Sequence, residues 1–357
     1  MSLPIGNQLQ SVSEYAVARD KIKLFTLENC NGTRLTVSNL GAAVISLYVK
    51  DRQGNLEDVV LGYDDPAEYI HDEFYIGTVV GRYANRVAGD TVMIEGKPYK
   101  LSTRDGGYHL HGGNIGFNKK LFTAQPFHKT GESGIVFKYT SPHLEEGFPG
   151  ELEFEVTYTL DDNDTWTVVY KACSNRTTLI NPTQHTYFNL SGNAATTIDQ
   201  HELKIPAGHY LPVNELQVPA GAIADVAHTP FDFRHFKEIA RDISVDDEQL
   251  LLSNGYDHSF VLEAVHTPSL KPAAVVREPV SGRQLEVYTT EPSVHLYTAN
   301  YLQNVRGKNG ITYNARCGFC LETHHFPDAP NHPHFPSTIL KAGEEYSSTT
   351  VFKFSTF

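Results

Sequence analysis

The feature that most constrains this chain is a period of two. Leu152, Phe154, Val156, Tyr158 and Leu160 are apolar, and Glu153, Glu155, Thr157 and Thr159 between them are polar. Side chains on an extended backbone alternate between faces, so the run predicts a strand with one buried and one wet face. The turn-forming stretch Asp161-Asp-Asn-Asp164 follows, and a second β-rich run covers residues 166–173. Ile135, Phe137 and Tyr139 mark a strand just upstream. Residues 92–94 and 98–101 flank Glu95-Gly96-Lys97 as a hairpin, and 35–39, 44–50, 285–289 and 351–354 read as further strands. Helical spacing is clearest at Phe236, Ile239, Ala240 and Ile243, over a short segment. Many short strands with frequent turns predict an all-β sandwich.

The length of 357 residues supports a sizeable core, as one large domain or two ordinary ones. No composition break separates two halves. The Pro-, Gly- and Ala-rich residues 206–230 also hold Tyr210, Leu211 and Val218 as apolar anchors, so they read as an ordered excursion and not a linker. One domain over residues 1–357 is expected, with 1–20 as a less ordered N-terminal segment. Acidic residues number 42 and basic ones 29, for a net charge of −13. Phosphate backbones and anionic lipids attract Lys/Arg clusters, so neither nucleic acid nor a membrane surface is an expected partner. The longest apolar stretch, residues 41–49, is far too short to span a bilayer. Four cysteines do not make a disulfide scaffold, and the start MSLPIGNQLQ shows no signal peptide, so a cytoplasmic setting is expected.

No Walker motif, dinucleotide fingerprint or serine nucleophile elbow is present. Cys317-Gly-Phe-Cys320 lacks the second ligand pair that a zinc site needs and reads as buried thiols on a strand. His324, His325, His332 and His334 have irregular, Pro-rich spacing and read as a solvated loop; no metal is expected. Three polar clusters are more informative. Gly81-Arg-Tyr-Ala-Asn-Arg86 places charges in an apolar run, and a structural arginine or a ligand-binding one explains it equally well. His109-Leu-His-Gly-Gly113 permits a sharp turn or a close backbone approach to a ligand. In residues 181–190, read as a strand, Thr183, His185, Tyr187 and Asn189 form a hydrogen-bonding row on one face, which a lone core histidine does not explain. Asp257 and Glu322 each put a carboxylate in apolar strand context, as paired structural acids or as functional ones.

At these clusters the sequence resembles the aldose 1-epimerases. The likeness runs from about Phe25 to Phe354 and includes Asp58-Val-Val-Leu-Gly62, Gly81–Arg86, Leu110-His-Gly-Gly113, Glu146-Gly-Phe-Pro-Gly150, His185-Thr-Tyr-Phe-Asn-Leu190, Tyr256-Asp-His258 and Gly318-Phe-Cys-Leu-Glu-Thr323. The resemblance implies a large antiparallel β-sandwich of the galactose mutarotase-like type with few short helices, and an isomerase that needs no cofactor. It implies free aldoses such as galactose and glucose as substrates, and a monomer or homodimer. By the same resemblance His185 is the general acid and Glu322 the general base. Asn85, Arg86, His111, Tyr187 and Asp257 match sugar-binding positions. Two departures stand out: Gln184 replaces the usual Asn before the histidine, and His295 stands where a ligand-contacting Gln is common. Gln184 is expected to face the core, and His295 to bear on sugar preference or pH dependence.

Overall fold

The structure, a computed structural model, describes residues 21–103, 107–262 and 269–357. The expectation for residues 1–20 lies outside them. The predicted strand around Val156 runs over Leu152–Asp161 and pairs antiparallel with Glu132–Ser141 on one side and Thr165–Ser174 on the other. Its alternation is observed directly: Leu152, Phe154, Val156, Tyr158 and Leu160 are buried.

These strands belong to a nine-stranded sheet. It continues from Thr165–Ser174 through the long strand Glu345–Thr356, then Arg283–Thr289 and Lys271–Arg277, to the short edge strands Glu202–Lys204 and Lys237–Glu238. A five-stranded sheet faces it, in the order Ala224–Asp225, His209–Tyr210, Asp257–Val261, Ser293–Tyr297, Cys320–His324. Both sheets send side chains into one core, with Val156, Val168 and Phe352 from the first and Phe260, Val294, Leu296 and Leu321 from the second. Two sheets packed on a shared apolar layer are a β-sandwich. A four-stranded meander, Leu24–Glu28 to Leu56–Asp58, adds Leu35, Val37 and Leu47 to the same core.

The helical expectation at residues 236–243 is not met. Lys237–Glu238 pairs with Glu202 and Leu203 as an edge strand, and only Ile239–Arg241 coils, as a single 3-10 turn. The α-helix α1 lies further on, at Glu248–Ser253. Asp247 caps its start by accepting from the Gln249 and Leu250 amides, and Asn254 ends it in a left-handed conformation. The hairpin at residues 91–100 turns on Glu95 and Gly96 alone, with Lys97 already in the second strand. Among the described residues, no helix is long and apolar enough to cross a membrane.

Candidate active site

Strand register builds one wall of the site. On the five-stranded sheet, Phe260, Val294, Leu296 and Leu321 point into the sandwich core. With a side-chain period of two, their neighbours Asp257, Ser259, His295, Tyr297, Cys320 and Glu322 must point to the other face. Cross-strand pairing aligns them in rows: Ser259 opposite His295 opposite Glu322, and Asp257 opposite Tyr297 opposite Cys320. A wholly polar-and-aromatic face on a buried sheet is costly unless it has partners or a task.

Irregular backbone supplies the opposite wall. The strand Thr183–Gln184 pairs with Val79–Val80, and beyond it the His185 backbone bonds the Gly77 amide (2.9 Å) and the Thr78 carbonyl (2.9 Å). The strand expected through residues 181–190 therefore stops early, yet His185 and Tyr187 still reach the same cavity. Gln184 points away, accepting from the Tyr158 hydroxyl (2.7 Å) and donating to the Gly77 carbonyl (2.6 Å), as expected of a core-facing residue. Asn85 and His111 interlock: the His111 amide donates to the Asn85 carbonyl (3.0 Å), and the Asn85 amide donates to His111 Nδ1 (3.2 Å). Tyr75, Asn85 and His111 all hold positive φ, at 58°, 59° and 48°. Left-handed backbone at a non-glycine costs roughly 1–3 kcal/mol and concentrates at functional sites. Gly112, the first glycine after His111, serves a backbone approach of a different kind from the ligand contact that was one alternative. A Cβ on Gly112 would lie 1.8 Å from the Gly81 carbonyl oxygen.

Asn85, Arg86, His111, His185, Tyr187, Asp257, His295 and Glu322 thus line one cavity of about 270 Å³. All eight residues expected from sequence are brought together. Glu73, Phe74, Tyr75, Leu110, Tyr297 and Tyr301 complete the lining; the four aromatics were not singled out, because an aromatic in a β-rich chain carries no distinguishing signal. A larger hollow of about 650 Å³ on the nine-stranded sheet is lined by surface groups such as the Lys138–Glu155 ion pair, and holds no histidine. The Gly81–Arg86 cluster divides between its two readings. Arg82 is structural, buried and donating to Ser141 Oγ (2.8 Å) and to the carbonyls of Ser141 (2.9 Å), Pro142 (2.9 Å) and Pro149 (3.1 Å). Arg86 faces the cavity.

The central pair is His185 and Glu322, with Nε2 and Oε1 3.6 Å apart and both residues buried. Glu322 Oε2 has no hydrogen-bond partner among the described residues. Burial, reinforced by the Asp257 charge, raises the Glu322 carboxyl well above its ordinary range. Burial also drives His185 down to about 4. Burial thus pushes the two groups the same way, toward a neutral imidazole and a protonated carboxyl. Asp257 behaves oppositely. Burial works to raise it, but the His295 hydrogen bond (2.6 Å) and the Arg86 charge hold it at about 2. It is a fixed anion, with His295 anchored in turn on Ser259 Oγ (2.9 Å).

The chain matches the family model described as aldose 1-epimerase over residues 23–353. It is 45% identical to the galactose mutarotase of Bos taurus over 323 residues, which cover 90% of this chain and 91% of that one. The chain belongs to the aldose 1-epimerase family. The aldose 1-epimerase of Escherichia coli K12 is 35% identical over 334 residues, covering 93% of this chain and 95% of the relative. Among solved structures, an aldose epimerase homologue from C. elegans superposes with a TM-score of 0.85 at 30% identity, covering 94% of this chain and 99% of that one. The galactose 1-epimerase of Lactobacillus acidophilus gives 0.82 at 28% identity, covering 94% and 98%. The sandwich is therefore of the galactose mutarotase-like type.

One expectation about the surroundings of the site needs revision and another holds. His324 is not in a solvated loop: it is a fully buried residue on the strand Cys320–His324, and His325 is ion-paired with Glu291 at 2.5 Å. Cys317 and Cys320 are buried free thiols, and Cys320 Sγ lies 3.5 Å from His185 Nδ1. His111, His185 and Glu322 bring ligand-type atoms within 4.8 Å of one another. The wiring of His111 works against a metal there. Its Nδ1 accepts the Asn85 amide, so in the neutral ring the nitrogen left for a ligand carries the proton.

Proposed function

We propose that this protein is an aldose 1-epimerase, an isomerase that interconverts the α and β anomers of free hexoses such as galactose and glucose by acid–base ring opening, without a cofactor. The observation that carries the reading is the buried His185–Glu322 pair, 3.6 Å apart in the wall of a sugar-sized cavity. Ring opening removes a proton from the C1 hydroxyl and delivers one to the ring oxygen as the C1–O5 bond breaks. Glu322 takes the first and His185 gives the second. Rotation about C1–C2 and reversal of both transfers close the ring on the other carbonyl face. At 3.6 Å the carboxyl and the imidazole are close neighbours. They stand side by side and reach two oxygens borne by the same carbon.

The proton count explains the electrostatics. Before opening, the pair holds one proton on His185; after it, one proton on Glu322. The second state is the one burial favours. The first is supported by neighbours: Arg86 favours ionised Glu322, and Asp257 favours charged His185. Each positioned group contributes typically about 10²–10⁴-fold, enough for a reaction that also proceeds in water. Asn85, Arg86, His111, Tyr187, Asp257 and His295 hold the sugar hydroxyls. Asp257 is the acceptor, and Tyr75 and Tyr297 offer aromatic faces to the sugar's C–H edges. Among the lining side chains Arg86 is the one permanent cation, against Glu73 and Asp257, so free sugars are favoured over phosphorylated ones. Four unpaired thiols support a reducing, cytoplasmic setting.

Polarimetry of freshly dissolved α-D-galactose tests the reading. Acceleration to the equilibrium rotation is expected with wild type, and close to the buffer rate with His185→Asn. No acceleration by wild-type protein, or release of sugar from an aryl galactoside, would replace it with a binding or hydrolytic function.

A further inference from the structure

Arg86 is held more sparsely than its role requires. Its Nη1 is 3.9 Å from Asp257 Oδ2, beyond hydrogen-bond reach, and its Nε is buried with no partner among the described residues. The Tyr108 ring centroid is 5.7 Å from its guanidinium carbon. One short bond fixes the guanidinium: Nη2 donates to Gln217 Oε1 at 2.5 Å. Gln217 lies 131 residues away in the chain and is not part of the cavity lining.

The Gln217 amide is itself built in. Its Nε2 donates to the Leu252 carbonyl in α1 at 3.0 Å and to the Tyr301 hydroxyl. This fixes the amide's orientation, since the flipped form would set an NH₂ against the guanidinium and an oxygen against a carbonyl. Gln217 has φ of 57°, and its amide donates to the Asn214 carbonyl at 2.8 Å. Asn214 Oδ1 accepts from the Leu216 (2.9 Å) and Val218 (3.2 Å) amides. Gln249 of α1 clamps Val213 from both sides, at 2.6 and 3.0 Å. The loop is tied to the helix and points a single amide at the site. A glutamate would keep the acceptor for Arg86 but press a carboxylate oxygen against the Leu252 carbonyl; an asparagine is one methylene short.

We infer that Gln217 is the positioning residue for Arg86. It locks one edge of the guanidinium and, through the Tyr301 hydroxyl, a second lining side chain, leaving the Nη1 edge of Arg86 for a sugar oxygen. This rests on the sugar-epimerase reading and adds to it a contribution from outside the cavity. The test is a double-mutant cycle on α-D-galactose. Gln217→Met, which keeps length without hydrogen bonds, is expected to raise KM by about tenfold, the worth of one charge-assisted bond, with kcat little changed. In an Arg86→Met background the same change is expected to raise KM by much less than tenfold, the remainder being the lost Tyr301 contact. Gln217→Glu, which restores the acceptor, is expected to recover part of the loss. Equal KM factors in both backgrounds would mean a general structural effect and overturn the inference, as would an unchanged KM in Gln217→Met. Wild-type protein that turns over no aldose would instead overturn the epimerase reading itself.

Discussion

Replacing Glu322 by glutamine changes one oxygen for an amide and leaves shape and volume in place, yet it acts on activity and stability in opposite directions. The amide cannot take a proton from the C1 hydroxyl, so kcat/KM is expected to fall by about 10²–10⁴-fold, or roughly 3–5 kcal/mol of barrier. Stability follows from the raised carboxyl. A group whose folded pKa lies above its unfolded value near 4.5 gives stability that is complete below that value and lost as pH rises through the folded pKa. The loss runs at about 1.4 kcal/mol for each pH unit above 4.5 until the folded carboxyl ionises. The glutamine variant lacks this loss. Repacking an amide beside His185 adds an offset, but an offset does not vary as Glu322 titrates. Urea denaturation of both proteins at pH 4.5, 5.5 and 6.5 reads the difference, and polarimetry on the same samples reads the rate. The variant is expected to gain on wild type with each step up in pH while showing almost no catalysis. Parallel stability curves would mean that Glu322 is already ionised in the folded protein, and the proton bookkeeping for the pair would then be wrong.

Three further outcomes follow from the same groups. The pair is competent only while it holds a single proton, and a second enters as pH falls through the His185 value of about 4. The kcat/KM profile is therefore expected to stay flat well below 6.5, and an acid limb centred near 6.5 would contradict this. Burial holds His258 and His324 at about 3 and His201 at about 4, so each gives stability above 6.5 that is lost as pH falls, about 3–5 kcal/mol apiece. His258→Phe is expected to flatten the decline in stability between pH 6.5 and 4; an unchanged decline in urea titrations would show His258 charging freely in the folded state. Arg82→Met removes the buried donor to three carbonyls and a hydroxyl, of which the Pro142 carbonyl and Ser141 Oγ keep only a bond with Glu145, and a large fall in Tm is expected with KM of the remaining folded protein unchanged. A raised KM with normal Tm would move Arg82 into the site.

What the sequence disclosed depended on whether local pattern and tertiary role agreed. The strand Val44–Lys50 and the alternation from Leu152 to Leu160 were legible because one face is core and the other is not. Asp257 and Glu322 stood out for a related reason: each is a charge in a strand whose neighbours are apolar, on a sheet buried on both faces. The same double burial hid His324, since a core-like strand ending in histidines and prolines looks like the start of a loop. Residues 236–243 have helical spacing, but Lys237 and Glu238 found a free sheet edge to pair with, and pairing outweighed a short helical tendency. The signals of α1 were present in the Asp247 cap and in Asn254, around a run with three consecutive leucines that has no clear helical face. Gln217 was beyond reach altogether. Its importance lies in a contact across 131 residues, which no local pattern records.

The most direct test of the account is a crystal structure of Glu322→Gln with galactose bound, since the inactive variant would hold the sugar unchanged. The account predicts the anomeric oxygen within about 3.2 Å of the residue 322 amide and the ring oxygen within the same distance of His185 Nε2, with C1 facing both. A sugar bound with C1 turned toward Glu73 and Tyr301, out of reach of His185, would contradict it.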